Sequence, residues 1–467
     1  MEPVDLPLKV VRPGDDDYQR ARVKRVANGK VPERFPIAVV EAISVADVVA
    51  AVKLARRVEA KISVRSGGHS WPVWSLRDNA ILIDLGAMRS IQFDEKTGIV
   101  EAGPAVTGED LTEFLQERGR FFNCGHCPGV ALGGFLYSSF CVKTDYSLQG
   151  GMGWNCRGWG WAAESIVGIE VVTADGNIMD CDLGQNSDLF WAARGSGPGF
   201  FAVVTQFRLQ TRLMPKGILK STYIWNVTEY DIIMPWIINT SPLANPNMEI
   251  TLFTCYIGQS ETTSDLQNPS LVLQLLTFTE NVETARESLH LFSSSRPLQA
   301  HAIHIEECRP ASIRSEFERQ HEQNPIGYRF SADSAWIPNH LSTAEVVRIM
   351  KELFVSLPSR KSYSMYYNMT STRTLSPMAF SLQTNHYVGI YSIWKDSKDD
   401  DKCQSWLQSR LKALESISEG VYIGDSDFQV RPSRFVTLST WERLTAARNK
   451  WDPHRLFCGY LGLDDLG

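Results

Sequence analysis

What the chain lacks narrows its function before any motif is read. No stretch reaches the roughly 18 consecutive apolar residues that suggest a membrane span. The N-terminus, M-E-P-V-D-L-P-L-K-V-V-R-P-G-D-D-D, has no apolar core of a secretory leader. The expectation is a cytoplasmic protein with no membrane partner, or a secreted one whose true start lies elsewhere. No basic excess exists either: the net charge is −6, so no bulk attraction to nucleic acid is expected. The nine cysteines are odd in number and scattered, and no second C-x-x-C matches Cys124 and Cys127. A metal site is therefore not expected. Internal repeats and low-complexity tracts are absent. The sequons at Asn226, Asn239 and Asn368 read as chance matches in a chain without a leader.

What is present is the composition of a folded protein. There are 467 residues, 43% hydrophobic and 21% charged, with 33 glycines. That length carries two to three domains. One short stretch stands out: Arg65-Ser66-Gly67-Gly68-His69-Ser70, after the alternating strand Lys61–Val64 and not followed by a helix pattern. Adjacent glycines let the backbone adopt positive φ and approach a ligand closely. Converging N–H groups then suit an anion such as a pyrophosphate, with His69 beside it. Alone, G-G-H is equally an ordinary surface turn.

The first 210 residues read as α+β. Strands are expected at Ile37–Val40, Ile62–Val64, Ile81–Leu85, Ser90–Phe93 and Ile99–Ala102. A helix opens at Ser44, with Asp47 completing a capping box, and another spans Gly108 to Arg118. A hairpin joins Ile166–Thr173 to Ile178–Cys181 through Ala174-Asp175-Gly176-Asn177. A short helix at Asp188–Arg194 precedes a strand at Phe201–Leu209. After about residue 212 the glycine punctuation stops, and a second unit is expected over 213–436. Its strands are expected at Leu219–Trp225, Glu249–Tyr256, Leu271–Phe278, Tyr363–Tyr367, Phe380–Gln383 and Tyr387–Trp394. Its helices are expected near Asn281–Phe292, Thr343–Leu357 and Gln404–Ile417. An antiparallel sheet covered by helices follows from that pattern. A last helix over 437–450 returns the tail to the first unit, which then comprises 1–212 and 437–467.

Four stretches, taken together and in this order, resemble the flavin-dependent oxidases of the berberine bridge enzyme-like group within the vanillyl-alcohol oxidase superfamily. They are R-S-G-G-H-S with I-L-I-D-L-G-A-M-R-S-I from Ile81; C-P-G-V-A-L-G-G, Cys127 to Gly134; S-I-V-G-I-E-V-V-T-A-D-G from Ser165 with D-L-F-W-A-A-R-G-S-G-P-G-F-F-A-V-V-T-Q-F; and W-E-R-L…R-N-K-W-D-P-H-R-L-F, Trp441 to Phe457. The resemblance implies a two-part α+β fold, with a PCMH-type FAD-binding domain built of two α+β subdomains. It also implies FAD as cofactor and a small-molecule substrate with O2 as partner. The positions it assigns to the cofactor are Arg65, Ser66, Gly67, Gly68, His69, Ser70, Cys127, Val130, Gly133, Gly134, Gly151, Gly153, Ile169 and Val203. His69 would bond the flavin 8α-methyl and Cys127 the flavin C6, a bicovalent attachment that raises the reduction potential. A buried inert thiol is the plain alternative for Cys127. Valine at 130 resembles members that react with oxygen.

Two departures stand beside the resemblance. Phe135 replaces a histidine found in some relatives, and Leu136–Ser147 is an extra segment of about eleven residues by comparison with the family pattern. The catalytic residues are read from V-Y-I-G-D-S-D-F, Val421 to Phe428, which takes the place of the family's Y-x-N-Y-x-D in a last strand. Tyr422 matches its first tyrosine, Asp425 the often catalytic second one, and Asp427 the terminal aspartate. A desolvated Asp425 would have a raised pKa suited to a base. Tyr391, Tyr366, Tyr367 and His386 are rival pocket residues, each equally an ordinary packing residue. The reading is hydride transfer from an alcohol, amine or secondary metabolite to covalent FAD, reoxidised by O2 to H2O2. A dehydrogenase, an oxidative cyclase and a catalytically silent flavin-binding protein are the alternatives.

Overall fold

The computed structural model describes residues 8–136, 151–258, 268–323, 327–370 and 373–463. Of the extra segment, only Leu136 falls among them. The chain opens with a four-stranded sheet made of β1 (Val10–Val11), β2 (Ala38–Glu41), β3 (Lys61–Arg65) and β4 (Ala80–Asp84), in the order β1-β2-β4-β3. β4 lies parallel to both β2 and β3. The helix Val45–Arg57 crosses over between β2 and β3. It starts where the sequence asks: Ser44 Oγ accepts from Asp47 N at 3.2 Å, and the Asp47 carboxylate accepts from Ser44 N at 2.9 Å. Val48, Ala51, Val52 and Ala55 bury its inner stripe, each valine contributing about 2 kcal/mol by area.

A second sheet follows with β5 (Ile91–Asp94), β6 (Ile99–Ala102), β8 (Ile166–Thr173), β9 (Ile178–Cys181) and β10 (Ala202–Gln210), ordered β5-β6-β10-β8-β9 and antiparallel throughout. β7 (Arg120–Phe121) pairs with β11 (Arg212–Leu213) at the point where the chain leaves this part. The expected hairpin is present as β8–β9.

The third sheet has seven strands: β12 (Leu219–Asn226), β13 (Met248–Cys255), β14 (Ser270–Thr277), β15 (Ala302–Pro310), β16 (Arg329–Ile337), β17 (Tyr363–Asn368) and β18 (His386–Trp394). Their order is β15-β12-β14-β13-β17-β18-β16, all antiparallel. Because side chains alternate along each strand, the sheet has two apolar faces. One, with Tyr223, Leu252, Leu273, Tyr366 and Val388, is covered by the helices Tyr230–Thr240, Val282–Ser295, Thr343–Phe354 and Asp400–Lys412. The other, with Phe253, Trp336, Met365, Tyr387 and Tyr391, shares a core with the first 210 residues. The last helix, Leu438–Trp451, packs against the helix Ser187–Ala193, and the tail joins β3 through Ile62 and Phe457.

Several elements differ from the sequence pattern. Phe380–Gln383 is not a strand; Gln383 spends its amide on Met369 O and the Trp161 indole, and it has no ladder partner among the described residues. Val421–Phe428 is not a last strand either. Its centre, Ile423–Asp425, is a 3₁₀ turn entered through Gly420 at φ +151°. β15 is exposed along most of its length at the sheet edge, so its residues carry no clear alternation. β16 places Asp333 and Ser334 inside, which hides this strand from a hydrophobic pattern.

Candidate active site

The Gly-Gly loop forms one wall of a cleft of about 760 Å³. Ser66, Gly67, Gly68, His69 and Ser70 line it, opposite Val130, Ala131, Gly133 and Gly134. Glycine is required on both sides. A Cβ on Gly67 would stand 2.9 Å from Ala131 Cβ, and one on Gly133 would stand 2.9 Å from Ser66 Oγ. Gly68 has φ +74° and its Cβ direction points at Arg25 O, 2.1 Å away. The two loops thus interlock through missing side chains, leaving backbone on the cleft surface.

Arg65 also borders the cleft, but its guanidinium is spent inside the fold. It donates to Asp84 Oδ2 at 2.7 Å and to the carbonyls of Ala21 and Arg22 at 2.6 and 2.5 Å. Its charge anchors the loop rather than facing a ligand. The far end of the cleft is closed by the tail: Phe457 and Cys458 line it, held by Ile62 N to Leu456 O at 2.7 Å and Cys458 N to Ile62 O at 2.8 Å. Arg77, which also lines the cleft, donates to Gly459 O.

His69 fits attachment of a cofactor. Burial pushes its pKa down to about 4, against a backbone hydrogen bond to Gly129 that pulls it up. The imidazole is therefore neutral at physiological pH. Its Nδ1 is buried with no hydrogen-bond partner, and a buried nitrogen left so needs a reason. Cys127 is different: it is buried and disulfide-bonded, so its sulfur is not a free thiolate here. That departs from the expected C6 bond, which needs the thiol. Cys124 instead donates its thiol toward Gly108 O at 3.5 Å, beside Thr112.

Four other cofactor positions lie off the cleft. Ile169 and Val203 are fully buried in the second sheet, Ile169 opposite Phe207 and Val203 opposite Val172; Ala202, next to Val203, lines the cleft. Gly151 and Gly153 pack 151–153 into a tight space, where a Cβ would meet Ala162 Cβ at 2.7 Å and Asn123 O at 1.9 Å respectively. All four support the core under the cleft.

The catalytic candidates do come together. Asp425 is buried, and its Oδ2 accepts from Tyr387 and, at 2.9 Å, from Tyr391. Burial raises its pKa to about 7, while the two tyrosines and the Trp71 side chain hold it down and Asp333 adds to the rise. Both tyrosines are pushed well above their ordinary value, first by burial and then by Asp425, so they stay protonated donors. The geometry has a local cause. Tyr387 and Tyr391 sit on one face of β18 with Gly389 between them, and a Cβ there would stand 2.7 Å from the Tyr391 hydroxyl and 3.1 Å from that of Tyr387. Only glycine lets both hydroxyls lean inward. Tyr387 was not among the residues expected, although Y-V-G-I-Y is its signal.

Trp71, two residues past His69, has its ring 6.2 Å from Tyr391 and 5.0 Å from Phe330. The Asp425 cluster therefore stands within reach of the His69 loop. Tyr422 is adjacent, its ring 6.0 Å from Tyr387, but its hydroxyl accepts from Met152 N at 3.3 Å and serves the scaffold. Tyr366 faces the covering helices and pairs with His386 Nδ1 at 2.9 Å. Asp427, two residues past Asp425, accepts from Gln429 N at 3.0 Å. Among the described residues no group of His, Cys, Asp or Glu suits a metal, and no helix is long and apolar enough to cross a membrane.

A family model described as an FAD binding domain matches residues 36–182. The FAD-linked oxidoreductase nodO of Hypoxylon pulicicidum is 35% identical over 443 residues, covering 94% of this chain and 94% of that one. Among solved structures, 6-hydroxy-D-nicotine oxidase from Arthrobacter nicotinovorans superimposes with a TM-score of 0.80 at 19% identity, covering 99% of both chains. BBE-like 1 of Physcomitrella patens does so with a TM-score of 0.77 at 19% identity, covering 97% of this chain and 96% of that one. At such identity the two structures speak for the fold.

Proposed function

The chain belongs to the FAD-linked oxidoreductases of the berberine bridge enzyme-like group, and from that premise we propose that it oxidises a small-molecule alcohol, amine or secondary metabolite with Asp425 as the base. Residues 1–212 with 437–467 act as the cofactor unit and 213–436 as the substrate unit. The interlocked loops at 66–70 and 130–134 hold the cofactor's diphosphate side, and the neutral His69, with Nδ1 unpartnered, carries the covalent bond. Cys127, disulfide-bonded in this structure, would have to be reduced to supply a thiol for a second bond. FAD bound there would supply the two-electron acceptor for a hydride from a substrate carbon, with O2 as final acceptor and H2O2 as product.

The chain's own residues handle the proton. Asp425 receives it from the hydroxyl or amine on that carbon, beside the two tyrosines that donate to Oδ2. Tyr387 and Tyr391 donate to the ionised carboxylate and keep it ionised in a site that excludes water. The aromatic walls, Trp71, Phe330 and Tyr363, exclude solvent and offer a flat apolar surface to the substrate. One observation carries this reading: a buried carboxylate held by two neutral hydroxyls, within one side chain of the His69 loop.

The test begins with the mass and visible spectrum of the acid-precipitated protein. A yellow pellet whose adduct maps to the His69 peptide is expected, and a colourless pellet from His69→Ala. A colourless parent pellet overturns covalent attachment. Peroxide release is then screened over alcohols and amines. Substrate-dependent flavin bleaching without peroxide would replace the oxidase reading with a dehydrogenase.

A further inference from the structure

We propose that the buried Asp333–Arg431 pair is a positioning and tuning element for Asp425, acting through Ser426 and through its own charges. The proposal rests on Asp425 as the proton acceptor. Asp333 lies in the middle of β16 and is 2% exposed; Arg431 is 7% and Ser426 1% exposed. The Asp333 carboxylate accepts from Arg431 Nε at 2.7 Å and Nη2 at 2.8 Å, from Ser426 Oγ at 2.7 Å, and from Ser334 N at 2.7 Å. Arg431 Nη2 also donates to Ser334 O at 2.7 Å.

This network grips the turn that carries Asp425 at both ends. Tyr422 N donates to Ser334 Oγ at 3.0 Å, and Ser426 is held by Asp333. Farther back, Trp336 N donates to Gly420 O at 2.9 Å, tying the approach to the same strand. Asp425 stands between two fixed points on β16, facing the tyrosines of β18. A buried ion pair stabilises a fold little more than apolar residues of the same volume would. Geometry and local charge are what this pair contributes beyond packing. The titratable groups facing Asp425 are Tyr387 and Tyr391 from β18, Asp333 from β16 and Tyr422 from its own turn. Arg431 is the cation bound to that Asp333, so each half of the pair biases Asp425 in an opposite sense.

The experiment titrates the protonated Asp425 carboxyl by infrared difference spectroscopy on the holoenzyme, assigning the band by its loss in Asp425→Asn. No substrate is needed. Asp333→Asn removes a negative charge and leaves Arg431 positive, so the midpoint falls by about one unit; Arg431→Gln leaves Asp333 uncompensated, so it rises by about one unit. The double variant returns toward the parent, and Arg431→Lys, which keeps the charge, stays near it. Midpoints that move in the same direction in both single variants, or in neither, overturn the proposal. Where Asp333→Asn fails to fold, the contrast between Arg431→Gln and Arg431→Lys decides alone. The pH–rate profile runs in parallel: infrared shifts that the acid limb of the rate does not follow leave the coupling standing and remove Asp425 as the base.

Discussion

The face of the seven-stranded sheet turned toward the first 210 residues has two halves that solve the same problem differently. Around β16, β17 and β18 it is aromatic, with the Asp425 carboxylate among tyrosines and tryptophans. Around β12, β13 and β14 it is charged, and surrounds a smaller cavity of about 330 Å³ lined by Lys220, Glu249, Glu316 and Arg319. There Glu316 accepts from Lys220 Nζ at 3.0 Å and Arg319 Nη2 at 2.8 Å, and Glu249 pairs with His126 at 2.8 Å. Burial raises the pKa of both Glu316 and Asp425. For Glu316 the two cations outweigh burial, and its pKa ends below the ordinary value. For Asp425 the direct donors are neutral, and burial wins, leaving the pKa at about 7. A buried carboxylate becomes structural or reactive according to whether its partners carry charge.

The comparison breaks most visibly at Asp425. Asp425→Asn lowers kcat/KM by about 10²- to 10⁴-fold, with the flavin spectrum retained. In the parent the rate rises with pH through about 7 as the carboxylate ionises. A variant with unchanged turnover moves the base elsewhere. The charged half answers in stability instead. Glu316→Gln removes the carboxylate that accepts from Lys220 and Arg319 and costs about 3 kcal/mol in denaturant unfolding, with little change in the pH–rate profile.

Gly389→Ala sharpens the contrast inside the aromatic half. The new methyl pushes the tyrosine hydroxyls off Asp425, raising its pKa and lowering the rate several-fold at pH 7 but less at pH 9. Tyr391→Phe acts in the same direction with a smaller effect, since Tyr387 still donates. The smallest effect lies in the pH dependence of stability. Asp425 has a native pKa above its unfolded value of about 3.9, so its contribution is present below that value and is lost as pH rises through about 7. Glu316 runs the other way: its contribution is present above about 4.3, the unfolded value, and is lost as pH falls through the lower native one. Unfolding free energies at pH 5 and pH 8 separate the two, Asp425→Asn gaining more stability relative to the parent at pH 8 than at pH 5.

Much of this was legible in the chain. The capped helix at Ser44, the β8–β9 hairpin and the Gly-Gly-His loop follow from local signals: caps, a tight turn, and glycines where backbone meets backbone. Asp425 was legible as a candidate because it occupies a family motif, although the motif forms a 3₁₀ turn and not a strand. Tyr387 and Asp333 were not. Tyr387 gains its meaning only when Gly389 lets its hydroxyl meet a residue 38 positions away. Asp333 looks like a surface residue until Arg431, 98 positions on, pairs with it. The state of Cys127 was also not legible, because a thiol, a thioether and a disulfide share one letter.

The tail seated on β3 has a consequence for how the protein is made. Phe457 and Cys458 supply part of a cleft whose other wall was synthesised nearly four hundred residues earlier. Until Phe457 and Cys458 are in place, the cleft has no far end. A translation product that stops short of Phe457 would lack this wall of the cleft.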